Sequence, residues 1–298
     1  MRNRKDVIKA ISAPGTASIA VVVGLLALLF AFSPEFSILS AVNIVAAGFL
    51  VFLLFRCNEK LSFIRVRTVL HGSLFVFLLL TSRVSSDLWS AFFLLLAVWR
   101  LMAAYGDRDP VSNVFDAFLL LAAGSFFTPE MLLLAPVFWL SFPFIRISGL
   151  RAFLASIIGL TTAYIVGLSL LFALGALPDF WLSVQAQMLV SVSLPDLRHI
   201  IYIAFLFLFY IIAFFGFLSK ISADKIRVKQ LLYFLFFLTF FLFIITFFQP
   251  FNSVFPLLSL LLGIVLGHYF TLSESRFSLI VFFAFLIGGV VSFFLMEG

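Results

Sequence analysis

The chain has 298 residues, 64% of them hydrophobic and 11% charged, with a mean hydropathy of +1.26. Soluble domains carry about 25% charged and about 45–50% apolar residues, so this composition excludes a soluble globular protein. A formal charge of +6 would point to nucleic acid in a soluble chain; here the basic residues sit between apolar runs, where they set topology, and no nucleic-acid partner is expected.

The single cysteine, Cys57, excludes an internal disulfide framework and a cysteine-rich metal site. Arg2, Arg4, Lys5 and Lys9 precede an apolar run at Ala17–Phe32, as in a signal peptide. That run is long for a signal core and no small-residue cleavage site follows it, so it reads as a retained first span.

A bilayer core of about 30 Å needs roughly 20 apolar residues per helix. Eleven runs qualify, near 17–33, 37–55, 67–82, 87–104, 110–127, 130–146, 152–175, 199–218, 230–248, 254–270 and 277–296. The expected fold is all-α: one integral membrane domain over 1–298, a polytopic transmembrane helix bundle of about 11 spans (10–11). With the N-terminus in the cytoplasm, 17 of the 19 Lys and Arg residues fall on the cytoplasmic side, leaving only Arg83 and Arg198 outside.

On this reading the hairpin Asn113–Arg146 organises the chain. Asp109-Pro110 reads as an N-cap followed by proline in the first turn. The returning arm, 130–146, contains Pro136 and Pro143, which remove backbone donors. Proline inside a span is tolerated where neighbouring helices or water satisfy the freed carbonyls, so the hairpin is expected to be surrounded by protein, whether it spans or is re-entrant. Its turn, Phe127-Thr128-Pro129-Glu130, is echoed by Phe32-Ser33-Pro34-Glu35 and Phe248-Gln249-Pro250-Phe251, all at the outer face. Proline-broken hairpins at corresponding positions mark repeats in some transporters; an aromatic-proline pair is also simply a convenient interfacial turn.

One outer loop is long, residues 176–199. Phe180, Trp181, Val184, Met188 and Leu189 form a helical apolar stripe between two Leu-Pro-Asp sequences. This predicts an extracytoplasmic interfacial helix near 180–190 with Trp181 as its anchor. Gly159, Ala163 and Gly167, and likewise Gly263 and Gly267, recur every four residues and predict close helix crossings. The spans at 199–218 and 230–248 are Phe-rich all round and read as peripheral and lipid-facing.

Few residues can carry chemistry. Asp116 is the one acid inside an apolar run, a functional candidate by default, although it lies close enough to the helix start to pair with Arg100 or Arg108. The outer face collects Glu35, Asp87, Glu130, Asp179, Asp196 and Glu297. A carboxylate beside an interfacial cleft can serve as a general base or hold a metal that carries a diphosphate. The candidate catalytic residues are therefore Asp87, Glu130, Asp179 and Asp196, together with Arg198 to clamp a phosphate and His199 to move a proton. Acidic outer loops are also what remains when basic residues stay inside. No cofactor is implied: there is no phosphate-binding loop or dinucleotide fingerprint, and no metal site, because His71 and His268 fall near one end of their spans and His199 near the other.

The central residues Phe115-Asp116-Ala117-Phe118-Leu119-Leu120-Leu121-Ala122-Ala123-Gly124-Ser125-Phe126-Phe127, then Pro129, the Pro-rich run to Arg146, Arg151 and Ile158-Gly159-Leu160-Thr161-Thr162-Ala163-Tyr164 resemble an uncharacterised multi-pass inner-membrane protein family of Bacteroidota, a domain of unknown function. The resemblance implies a bacterial inner-membrane location and carries over no catalytic residue.

Three functions fit. The first is action on a lipid-linked substrate of polyprenyl-phosphate type at the extracytoplasmic face. The second is a transporter or flippase for a lipid-like or small-molecule cargo. The third is a non-catalytic scaffold or assembly partner. The partners implied are the lipid bilayer and either a lipid-linked substrate or another membrane protein.

Overall fold

The computed structural model describes residues 21–26, 28, 38–61, 70–82, 88–189, 196–220, 226–272 and 276–295. Asp87, Arg83, Glu35, Glu297, the turn at 32–35 and residues 190–195 lie outside the described residues.

Every regular element described is helical. In chain order they are α1 (Ile38–Leu61), α2 (Leu70–Ser82), α3 (Leu88–Ala103), α4 (Val111–Ser125), a 3-10 turn (Pro129–Leu133), α5 (Leu134–Leu140), α6 (Phe142–Ile145), α7 (Leu150–Ala173), α8 (Leu177–Leu189), α9 (Leu197–Lys220), α10 (Ile226–Phe248), α11 (Phe251–Leu272) and α12 (Arg276–Leu295). Five of them, α7 and α9 to α12, are long and apolar enough to cross a membrane.

The hub is α11, not the hairpin 113–146. It packs against α2, α3, α9, α10, α12 and the 3-10 turn, and every residue from Val254 to Phe270 is buried. Glycine spacing explains how α2 approaches. A Cβ on Gly263 would lie 3.0 Å from the His71 carbonyl oxygen and the Phe75 nitrogen, and one on Gly267 would lie 2.9 Å from the His71 Cα. Gly263 against Phe75 and Gly267 against His71 means that the two helices run antiparallel, backbone on backbone.

The same device seats α7 on α4, where a Cβ on Gly159 would lie 2.5 Å from the Phe115 carbonyl oxygen. Gly159 meets Phe115 and Gly167 meets Phe126, so α4 and α7 run parallel. Parallel neighbours require the intervening chain to travel back through the bundle, which residues 126–149 do.

That return is where one helix over 130–146 was expected, and it is three pieces. Pro129 opens the 3-10 turn, Pro136 lies in the first turn of α5 and Pro143 in the first turn of α6. A first-turn N–H needs no helical acceptor, so each proline is tolerated only where a new piece begins. Other helices hold the segment. Trp139 stacks on Phe118 of α4 with ring centroids 5.7 Å apart, and its indole N–H donates to Ser156 Oγ of α7 at 2.8 Å. Phe138 and Phe144 meet Phe234 and Phe237 of α10. The expected N-cap also shifts by one residue: Pro110 occupies the cap of α4, and no side chain bonds there.

One expectation about lipid exposure is reversed. The Phe-rich α10 is 61% buried over its most apolar stretch, against 17% for α7, which carries the small-residue stripe. Phe236 is 2% exposed, and its ring meets Tyr210, Phe214 and Phe217 of α9. Lipid and protein interior are equally apolar, so an all-Phe helix carries no mark of which one it faces.

Candidate functional site

The end of the bundle where α11 begins holds a buried carboxylate. Glu130, the second residue of the 3-10 turn, is 7% exposed. The Ser253 hydroxyl donates to Glu130 Oε1 at 3.3 Å. Ser253 also donates to the Pro250 carbonyl at 2.9 Å, and a hydroxyl has one proton to share. Glu130 Oε2 has no hydrogen-bond partner, nor does the buried hydroxyl of Thr128, which caps the 3-10 turn. Two orphaned oxygens thus lie two residues apart in the chain, on a turn whose backbone is otherwise engaged: the Thr128 N–H donates to the Gly124 carbonyl at 3.1 Å and the Met131 N–H to the Thr128 carbonyl at 2.9 Å. Among the described residues no Lys or Arg forms an ion pair with Glu130.

The turn around Pro129 and the turn around Pro250 echo each other in sequence. Folding places them in contact, through Glu130 and Ser253. Sequence reading selected Glu130 and missed Thr128 and Ser253; Thr128 directly precedes Pro129, whereas Ser253, three residues past Pro250, gave no such signal.

The other candidates are distributed. The His199 ring lies 4.5 Å from that of Phe251, in the first turn of α11, and Tyr202 also meets Phe251. The Tyr202 hydroxyl in turn bonds the Thr81 hydroxyl of α2 at 2.8 Å. Phe251 and Ser253 are two residues apart on a helix and therefore face opposite ways. His199 and Glu130 accordingly flank the same turn of α11 on opposite sides and do not share one cleft. Arg198 and Asp196 are exposed; the Asp196 carbonyl accepts the Ile200 N–H at 3.0 Å as α9 begins. Asp179 is exposed in the first turn of α8, whose Phe180 ring lies 5.4 Å from that of Phe126.

Asp116 lies toward the other end of the bundle. Its Oδ2 is 3.5 Å from Arg100 Nε of α3, and the two side chains are 38% and 48% exposed. Both partners can reach solvent or lipid headgroups, so this is a pair of modest energy.

His71 and His268 are buried on facing helices, with His71 against the backbone at Gly267. His199 is at the opposite end of α11. Among the described residues no group of three or more His, Cys, Asp and Glu side chains gathers closely enough to hold a metal ion.

No family, curated protein or solved structure matches the chain.

Proposed function

We propose that the chain is a multi-pass protein of a bacterial inner membrane that acts on or moves a lipid-linked substrate, of polyprenyl-phosphate type, at the extracytoplasmic face. The carrying observation is Glu130, a buried carboxylate with a free oxygen and no cationic partner, beside the free Thr128 hydroxyl. An uncompensated buried carboxylate is costly unless something binds it. Hydroxyl or amide donors on a substrate headgroup meet that need.

The topology that goes with this reading has eleven spans and a cytoplasmic N-terminus. Five long helices, five shorter apolar segments and the run at 17–33 supply them. The Lys and Arg bias then places the Glu130 end outside. There α8, with Trp181 exposed, would lie in the interface, and Arg198 is free to meet a phosphate.

A second reading, a lipid flippase, is favoured by the proline-broken return through the bundle, since discontinuous helices line many transport paths.

Native mass spectrometry of the purified protein tests the proposal. The wild type should retain a polyprenyl-phosphate species, and Glu130→Gln should lose it at unchanged yield. A wild type that carries no such lipid sinks both readings and leaves the scaffold. Equal retention in the variant removes Glu130 from the site.

A further inference from the structure

At the other end of the bundle three elements converge on one ring. Tyr105 follows α3, Arg146 ends α6, and Arg227 is the second residue of α10. The guanidinium carbon of Arg146 lies 5.9 Å from the Tyr105 ring centroid, and that of Arg227 lies 5.8 Å from it. The shared ring thus holds two cations within about 12 Å of each other.

Like charges gathered this way repel, and nothing described neutralises them. Among the described residues no carboxylate forms an ion pair with either arginine. The nearby Asp107 carboxylate instead accepts the Asp109 N–H at 3.3 Å. The first turn of α10 contains no acid, so Arg227 and Lys229 stand at the positive end of a helix dipole. Arg146 is held in place as the left-handed C-cap of α6, φ 58, the only described non-glycine residue with that backbone. The repulsion and the helix dipole are both met by one kind of ligand, an anion with several oxygens.

We propose that Tyr105, Arg146 and Arg227 bind the phosphate headgroup of an anionic phospholipid. The apolar surroundings favour a lipid over free phosphate. Phe144, exposed beside Arg146, meets Phe237 of α10 with ring centroids 5.6 Å apart, and Phe240 is exposed further along the same helix. A headgroup on the arginines would lay its acyl chains along this aromatic face. The site is independent of Glu130 and of the function proposed for it.

The test uses the whole protein in neutral detergent, titrated with phosphatidylglycerol or phosphatidylcholine and read by native mass spectrometry. Wild type should retain phosphatidylglycerol preferentially, and Arg146→Gln/Arg227→Gln should lose roughly thirtyfold in that affinity, about fivefold per basic residue at an anionic headgroup. Millimolar inorganic phosphate should not displace the lipid. Arg227→Gln alone, at an exposed position, carries the test should the double variant not fold. Equal retention by wild type and variant, or no preference over phosphatidylcholine, overturns the site. Phosphate binding that displaces the lipid overturns its assignment to a lipid.

Discussion

Gly263 of α11 and Phe75 of α2 touch backbone to backbone: a Cβ on the glycine would stand 3.0 Å from the Phe75 nitrogen. No side chain can rotate away to make room there. Gly263→Leu should therefore separate the two helices and cost about 1–3 kcal/mol or more. Gly159→Leu, aimed at the Phe115 carbonyl, should behave likewise. Melting in detergent by intrinsic fluorescence reads both, and an unchanged midpoint would refute the crossing.

Phe236 and Phe240 separate burial from composition. The first is packed among three rings of α9; the second is 40% exposed. Within a bilayer the unfolded helices already avoid water, so the loss on truncation is mostly packing. Phe236→Ala should cost on the order of 2 kcal/mol, and Phe240→Ala should leave the melting midpoint close to wild type. Equal sensitivity would mean that Phe236 does not pack against α9.

Trp139 fastens the broken segment to α7 through Ser156, whose own hydroxyl still donates to the Phe153 carbonyl at 2.6 Å. Trp139→Phe keeps most of the ring and loses the N–H. It should cost about 0.5–1.5 kcal/mol. Ser156→Ala removes the same bond along with the one to Phe153, so the double variant should cost less than the sum of the two single losses. Additive losses would argue that the bond does not form.

Asp116 gives a contrasting expectation. A half-exposed pair contributes about 0–1 kcal/mol, so Asp116→Asn and Arg100→Gln should each change stability little. If Asp116 serves only this pair, both should also complement a deletion strain. Loss of complementation by Asp116→Asn alone, at normal protein level, would assign the carboxylate a role beyond Arg100.

Burial changes how topology must be tested. Native Cys57 is buried, so its failure to react says nothing about sidedness. On a Cys57→Ala background, cysteine at the exposed positions Gln185 and Ser148 avoids this. An impermeant maleimide should mark Gln185→Cys in intact cells and Ser148→Cys only after lysis. The reverse pattern would invert the bundle.

The helical segments were readable in the sequence because apolar runs must be helical where water is scarce. So were the crossings at Gly159 and Gly263, because only a missing side chain permits that approach. The prolines foretold a disturbed return but not its division into three, which depends on which turn each proline can begin. The hub was hidden: α11 and α10 differ little in apolar content from the exposed α7, and hydrophobicity cannot rank helices that lie in an equally apolar solvent. Glu130 stood out as an acid at a turn, whereas its partner Ser253 lies 123 residues away, a pairing that only the fold makes.

The broken return also bears on how the protein is made. A continuous apolar helix can leave the insertion machinery alone, because its backbone is already satisfied. The pieces from Pro129 to Ile145 are too short for that; they lean through side chains on α4 and on α7, α10 and α11, and the last three are synthesised later. The least self-sufficient part of the chain thus emerges with only α4 to lean on, and its remaining contacts can form only once α7, α10 and α11 have been made.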